Sequence, residues 1–572
     1  MMIKILAVIS LTAILNACVT STVTEQSADL VLTNAAIYTA AAGSAQVTAV
    51  AIKDGKYIAV GDDNSVSRFI GEQSEVINLQ GAMAMPGIND AHLHPVLAGV
   101  KALYECNFAF TATPEDIAGA VRACAEKNAD AAWIRGGQWG SNFFDLHKLE
   151  SPREFLDALS SSHAIYLNDD SGHNAWVNSK ALALAGIDTD TANPEGGTIV
   201  RNAGGEATGV LLETAIMLMD SAIEQWTDEQ HIAAAAHSAQ TMNSLGITGF
   251  KDAGYLNAPP MAFHTLDQQG KLNAHAAVCL ATPYGTRTEP LDLADLEQRR
   301  ERFASTNVHT NFVKIFMDGV PTPARTAAMI HPYLPDEQHG DNYRGSMHLS
   351  AERLTEDVIA LDKLGFTIKI HTAGDGSVRV ALDAIEAARK ANGNSGLQHE
   401  LAHGGYIDPA DMSRFSSLGV AADFSPYLWH PSPIMDAVIS AVGEERGPQY
   451  WPTRSLLASG ASVIAGSDWP SAVPSANPWV GLEALVTRRD PHGEAEGSLW
   501  PEEAISLEQA LQIYTMAGAK ALKLQDVTGS IEVGKSADLI VLDRNLFEVP
   551  IDEVSDTTVQ KTYFRGRLVY SR

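Results

Sequence analysis

Apolar and polar positions alternate at two different periods along this chain, and the switches between them divide it into three stretches. From residue 28 to 85 come short alternating runs, DLVLTNAAIYT, AVAIKDGKYIAVG and EVINLQGAMAMPG, broken by turn pairs such as Asp54-Gly55 and Gly61-Asp62. Period-two runs punctuated in this way predict β-strands. A matching set closes the chain within residues 524–572, in GSIEVGKSADLIVLDRN and VQKTYFRGRLVY. Either set alone would leave an apolar face uncovered, so the two termini are expected to build one small β-sandwich together.

Between them, over residues 86–523, strand-like runs alternate with helical periodicity, down to the helical LEQALQIYTMAGAKALKL of Leu507–Leu524. That alternation predicts an α/β fold, a (β/α)8 barrel of parallel strands. HAIYLNDD, GITGFKDAG, AHAAVCLA, NFVKIFMDG, FTIKIHTAGD, HELAHGG, GVAADFSP and ASVIAGSD, with the run bearing His92, supply nine candidates for eight places. One must belong elsewhere. HAIYLNDD, beside an insertion spanning about 105–240, and AHAAVCLA are the two suspects.

A parallel barrel collects its chemistry at the carboxyl ends of its strands, so residues distant in sequence converge on one mouth. Six polar residues sit at or just past the ends of such runs: His92 and His94 in NDAHLHP, Lys314 in NFVKIFMDG, His371 in IKIHTAGD, His403, and Asp468 in VIAGSDWP. His92 and His94 are two positions apart on a strand, so both imidazoles leave the same face and can share one ion. Asp90 is close enough to support one of them. Taken singly, each residue has a plainer reading. Lys314 could reach solvent along its apolar stem, His371 and His403 could be buried core histidines, and Asp468 could cap a helix. Their joint appearance in this order at successive strand ends favours a metal-ligand set.

Within the insertion stand Trp133, Gln138, Trp139, His173, Asn174, Trp176 and Glu213. An aromatic and polar mixture on long connections near a barrel mouth suits a substrate lid, although ordinary packing of an inserted domain would use the same residues. His173, Trp139 and Glu213 are the expected substrate contacts, with His173 foremost.

Composition narrows the partners. With 572 residues, 45% of them hydrophobic, the chain can bury a large core and hold more than one domain. A net charge of −29 and the absence of a Lys/Arg run argue against nucleic acid as a partner. Homo-oligomerisation is left open. At the N-terminus, Met1-Met2-Ile3-Lys4 precedes an apolar run from Ile5 to Leu15, too short to span a bilayer. Residues 1–18, ending in Leu15-Asn16-Ala17-Cys18, resemble a bacterial lipoprotein signal in which Cys18 is lipidated, with residues 19–27 as a tether. Val19 after the cysteine points to the outer membrane, with the barrel on the periplasmic side. The alternative is an ordinary secretory signal. Cys106 and Cys124 could pair in an oxidising periplasm or remain buried thiols beside Cys279.

The chain after residue 28 resembles the amidohydrolase superfamily, in the YtcJ-like branch that includes N-substituted formamide deformylases. The resemblance lies in PGINDAHLHP, WIRGGQW, SGHNAWVNSKALALAGI, PEGGTIVRNAGGEATGVLLETA, VKIFMDG, HTAGD, AGSDWP, NPW and GSIEVGKSADLIVLD. It implies a distorted (β/α)8 TIM barrel with a β-sandwich and a centre of two divalent metals, usually Zn2+. By motif match, His92 and His94 would hold the more buried ion and His371 and His403 the second. Lys314 would bridge them as a carbamate (N6-carboxylysine), and Asp468 would bind metal and shuttle protons. The family often has Glu directly before the fourth His, whereas Ala402 stands here, with His399-Glu400 upstream.

The implied activity is hydrolysis of an amide C–N bond other than a peptide bond, giving an acid and an amine from a small amide. Metal-activated hydroxide would attack the carbonyl while Asp468 takes the proton and returns it to the departing nitrogen. A heterocycle deaminase is the alternative enzyme, against which Lys314 counts. A non-catalytic ligand-binding lipoprotein is the alternative outside catalysis.

Overall fold

The computed structural model describes residues 27–572 apart from 42–46, 110, 141, 170–171, 337–338 and 472. The expected lipoprotein signal, with Cys18, therefore lies outside the described residues. Eight parallel strands form one sheet that curls into a nearly closed barrel. In chain order they are β1 (Ile88–Leu93), β2 (Ile247–Asp252), β3 (His275–Ala281), β4 (Val308–Phe316), β5 (Thr367–Thr372), β6 (Glu400–His403), β7 (Ala421–Phe424) and β8 (Ser462–Ala465). AHAAVCLA is thus a barrel strand. HAIYLNDD is the supernumerary run, and its strand Ala164–Asp169 lies in a separate six-stranded sheet with Trp133–Trp139 and Asn174–Val177.

Every described residue of β2, β5 and β7 is buried, as expected of strands covered on both faces. The ring closes between β1 and the turn after β8. There the Asp468 N–H donates to the His92 carbonyl at 2.7 Å and the His94 N–H to the Trp469 carbonyl at 2.7 Å. A Cβ on Gly466 would stand 2.3 Å from the His92 nitrogen, so this close approach needs glycine.

The extra sheet is inserted between β1 and β2, entered through helix Pro95–Tyr104 and left through helix Asp228–Ser244. Its interior is apolar and aromatic: Trp139, Trp176 and Phe143 are each no more than 2% exposed. Cys106 and Cys124 form a disulfide at its edge, with Cα atoms 6.0 Å apart.

Strands from both ends of the chain share a five-stranded sheet in which Met83–Pro86 runs antiparallel to Leu539–Leu542. A four-stranded sheet holding Leu30–Thr33 faces it across a core that includes Leu32, Val50, Ile52, Leu539 and Tyr563. The segment Leu507–Leu524 is not one regular helix. It runs as α-helix Leu507–Gln512, π-helix Ile513–Ala517 and α-helix Gly518–Ala521. The widened turn presents the Thr515 carbonyl to the Asn89 amide of β1 at 3.1 Å.

Candidate metal centre and active site

The strand ends bring the six residues to one cavity of about 210 Å³, whose lining includes His94, Lys314, His371, His403 and Asp468. His92 lies beneath it, with no exposed surface. Its Nδ1 is 2.7 Å from Asp423 Oδ2. A ring nitrogen against a carboxylate is the one that carries the proton, so Nε2 is left with its lone pair. That Nε2 is buried without a hydrogen-bond partner.

Asp468 sits at the centre of the cluster. Its Oδ1 is 3.5 Å from His92 Nε2 and 3.3 Å from His94 Nε2, and its Oδ2 is 3.7 Å from His403 Nδ1. One ligand atom each from His92, His403 and Asp468 fall within 4.8 Å of one another. Imidazole and carboxylate donors at this spacing, one of them buried and unsatisfied, fit a divalent cation. Asp468 and His403 both adopt left-handed backbone, at φ of 60° and 70°. Non-glycine residues hold that conformation only where the surroundings impose it. The seam hydrogen bond imposes it at Asp468, and the Trp451 indole N–H on the His403 carbonyl does so at His403.

His371 faces His403 with ring centroids 4.4 Å apart, and its Nε2 donates to the Gly319 carbonyl at 3.0 Å. Its Nδ1 is therefore the nitrogen available as a ligand. Burial, then the charge of Lys314, pushes the His371 imidazole well below its ordinary range. Burial likewise pushes the His92 and His403 imidazoles well below their ordinary range, which favours the neutral ring that a ligand must present. Lys314, 1% exposed, lies with its Nζ 4.9 Å from the Phe316 ring centre. Burial, and next the neighbouring Lys369 charge, bring its amine down to about 8.

Two expected contacts are placed differently. Asp90 does not support a histidine ring; it accepts the backbone N–H groups of His92 and Ser467, each at 3.0 Å, and ties β1 to the turn after β8. The carboxylate behind His92 is Asp423. Trp139 is not at the cavity. It is 2% exposed inside the inserted sheet and donates to the Leu167 carbonyl at 3.0 Å, because on a strand Gln138 and Trp139 point to opposite faces. Gln138 is the one that lines the cavity, and it reaches the Pro470 carbonyl at 2.8 Å.

His173 lines the same cavity, 6.3 Å from His371 between ring centres. Glu213 stands behind it, with Oε2 2.9 Å from His173 Nδ1, and the Tyr284 hydroxyl is 2.8 Å from the same nitrogen. Sequence reasoning missed Tyr284 and the aromatic wall of Tyr255, Trp429, Tyr450 and Trp451. These residues follow strands by irregular connections, and only the folded ring shows that they share a cavity.

A model of the amidohydrolase family matches residues 75–570. Over 553 residues the chain is 28% identical to Protein LONG AFTER FAR-RED 3 of Arabidopsis thaliana, covering 95% of this chain and 92% of that protein. It is 27% identical over 560 residues to N-substituted formamide deformylase of Arthrobacter pascens, covering 96% and 99%. The crystal structure of an uncharacterized metal-dependent hydrolase from Pyrococcus horikoshii OT3 superposes with a TM-score of 0.72 at 22% identity, covering 91% of this chain and 99% of that one. At that identity the likeness speaks for the fold.

Proposed function

The chain belongs to the amidohydrolase family, and from that premise we propose that it is a metal-dependent hydrolase that splits a carbon–nitrogen bond in a small amide. The observation that carries this reading is the convergence of His92, His403 and Asp468 within 4.8 Å, beside buried Lys314. His92, His94 and Asp468 would hold one cation and His371 and His403 a second. Lys314 would lie between them as a carbamate, formed when its free amine adds carbon dioxide and releases a proton. Zinc suits the imidazole-rich donor set.

Bound there, divalent cations supply Lewis acidity to a water and to a carbonyl oxygen. Asp468 accepts the proton of the attacking water on its carboxylate and delivers it to the leaving nitrogen. His173, anchored by Glu213, presents its ring to the substrate beside His371. Trp429, Tyr450 and Trp451 give that substrate an apolar bed. The relative named N-substituted formamide deformylase makes formamides the first substrates to try.

The test is metal analysis of the purified protein, then turnover on a panel of formamides, amides, lactams and dipeptides. Bound divalent metal and cleavage of a non-peptide amide are expected, both lost in His92→Ala. A protein without metal, or one that cleaves only dipeptides, overturns the reading.

The N-terminal segment supports attachment to the envelope through lipidated Cys18, and the Cys106–Cys124 disulfide suits the same oxidising compartment. Among the described residues no helix is long and apolar enough to cross a membrane. Membrane fractionation of wild type against Cys18→Ser checks this: a wild type that is soluble with a mature N-terminus other than residue 18 would remove the anchor.

A further inference from the structure

Beneath the cavity, the barrel interior carries four charged side chains where barrels usually stack branched apolar ones. Lys251 of β2, Lys369 of β5, Glu400 of β6 and Asp423 of β7 are each 1% exposed or less. They form one chain. Lys251 Nζ donates to Glu400 Oε1 and also, at 2.6 Å, to the Ala521 carbonyl. Lys369 Nζ is 2.8 Å from Glu400 Oε2 and donates to Asp423 Oδ2. The same Asp423 oxygen receives His92 Nδ1 at 2.7 Å. The charges cancel, two against two.

Such a chain is not explained by stability. Burying ions costs more than their attraction returns unless the geometry is excellent, and apolar residues of similar size often serve as well or better. Nor can these four side chains reach substrate, since all lie below the cavity and none lines it. What the chain does reach is His92, the ring whose buried Nε2 has no partner.

We propose that Lys251, Glu400, Lys369 and Asp423 are positioning residues that fix the tautomer and orientation of His92, so that its Nε2 lone pair is preset toward the cation. Asp423 Oδ2 stands 2.7 Å from His92 Nδ1 and fixes which way the ring faces. Lys369 Nζ donates to that same Asp423 oxygen and is itself held between Asp423 and Glu400, so the carboxylate behind His92 cannot swing away from the ring. Glu400 and Lys251 complete the neutralisation and anchor the far end to the backbone after β8. This inference rests on the metal-site reading above.

The test sets metal affinity against stability. Chelator competition on purified protein gives the affinity, and thermal melting of the metal-free protein gives the stability. Removing a group behind a ligating histidine typically costs about 10–100-fold in metal affinity. Asp423→Ala should lose affinity on that scale and Lys369→Met should lose a substantial part of it, while Asp423→Asn, which keeps shape and an acceptor oxygen, should fall between wild type and Asp423→Ala. The control is Ile385→Ala, a buried position on helix Asp375–Asn392 outside the barrel. It should lower the melting temperature comparably and leave affinity unchanged.

Affinity that simply follows melting temperature across all four variants overturns the proposal, because a merely structural network would behave so. Wild-type affinity in Asp423→Ala overturns it as well. If Asp423→Ala does not fold, Asp423→Asn decides alone: reduced affinity supports positioning, and unchanged affinity refutes it. A wild type that binds no divalent cation removes both this inference and the hydrolase reading.

Discussion

The barrel and the sheet inserted into it both line one cavity, yet their interiors differ in what they bury. Inside the insertion, Trp139, Trp176, Phe143 and Phe155 pack against one another, with Phe155 and Trp176 stacked at 5.5 Å. Inside the barrel, lysines and carboxylates occupy the strand interior. The insertion maximises apolar burial and offers the cavity only a few polar side chains, His173 and Gln138 among them. The barrel spends stability on charges that aim ligands. One wall supplies shape, the other reactivity, and each can be damaged without the other.

Asp468→Asn strikes the reactive wall hardest. An amide cannot take the proton, so turnover should fall by about 10²–10⁴-fold, while elemental analysis finds much of the metal retained. Wild-type turnover in this variant would erase the division of labour. Trp176→Ala strikes the shaping wall. Removing a fully buried indole should cost about 3–5 kcal/mol, seen as a lower melting temperature or a separate early transition of the insertion. Metal content should be unaffected; metal loss would mean that the two regions are one unit.

His173 sits where the walls meet. His173→Ala should lower kcat/KM by about tenfold, the worth of one hydrogen bond to substrate, with metal content unchanged. A loss as large as that of Asp468→Asn would move His173 among the catalytic residues. The smallest effect belongs to the outer face of the barrel, where Asp362 takes His399 Nε2 at 3.0 Å and Arg389 Nη1 at 2.8 Å. Burial pulls this carboxyl up, but hydrogen bonds from His399, Ser395 and Asn392 outweigh it and hold Asp362 well below the usual carboxylate range. A depressed folded value gives stability that is present above the unfolded value of about 4 and is lost as pH falls further. The melting-temperature gap between wild type and Asp362→Asn should therefore narrow as pH drops below about 4. A gap that widened would refute the linkage.

What could be read beforehand follows the same division. His92, His94, Lys314, His371, His403 and Asp468 stood out because strand ends are marked in the sequence and polar residues there are conspicuous. Asp423, Lys369, Glu400 and Lys251 did not: Asp423 and Lys369 are flanked by apolar residues within their strands, Glu400 opens its strand after His399, Lys251 stands beside Asp252, and the partner of each lies on another strand. One signal was present: Lys369 is two positions before His371, hence on the same face of β5. The partners across the ring depend on strand order and register, which no local pattern carries. Trp139 was misplaced for a related reason. Adjacent strand residues face opposite ways, and only the sheet's position decides which of Gln138 and Trp139 meets the cavity.

The seam at Gly466 joins the first and last strands of the ring, the pair most distant along the chain. Drawing such remote segments together is the costliest loop closure in the barrel, favoured only once the intervening strands have stacked. His92 and His94 come from one side of that seam and Asp468 from the other. A single register slip in any intervening strand would turn its inward residues outward and leave the seam open. The ligand cluster is thus a keystone in reverse: it does not hold the arch up while the stones are laid, but it exists only when the last stone has been set.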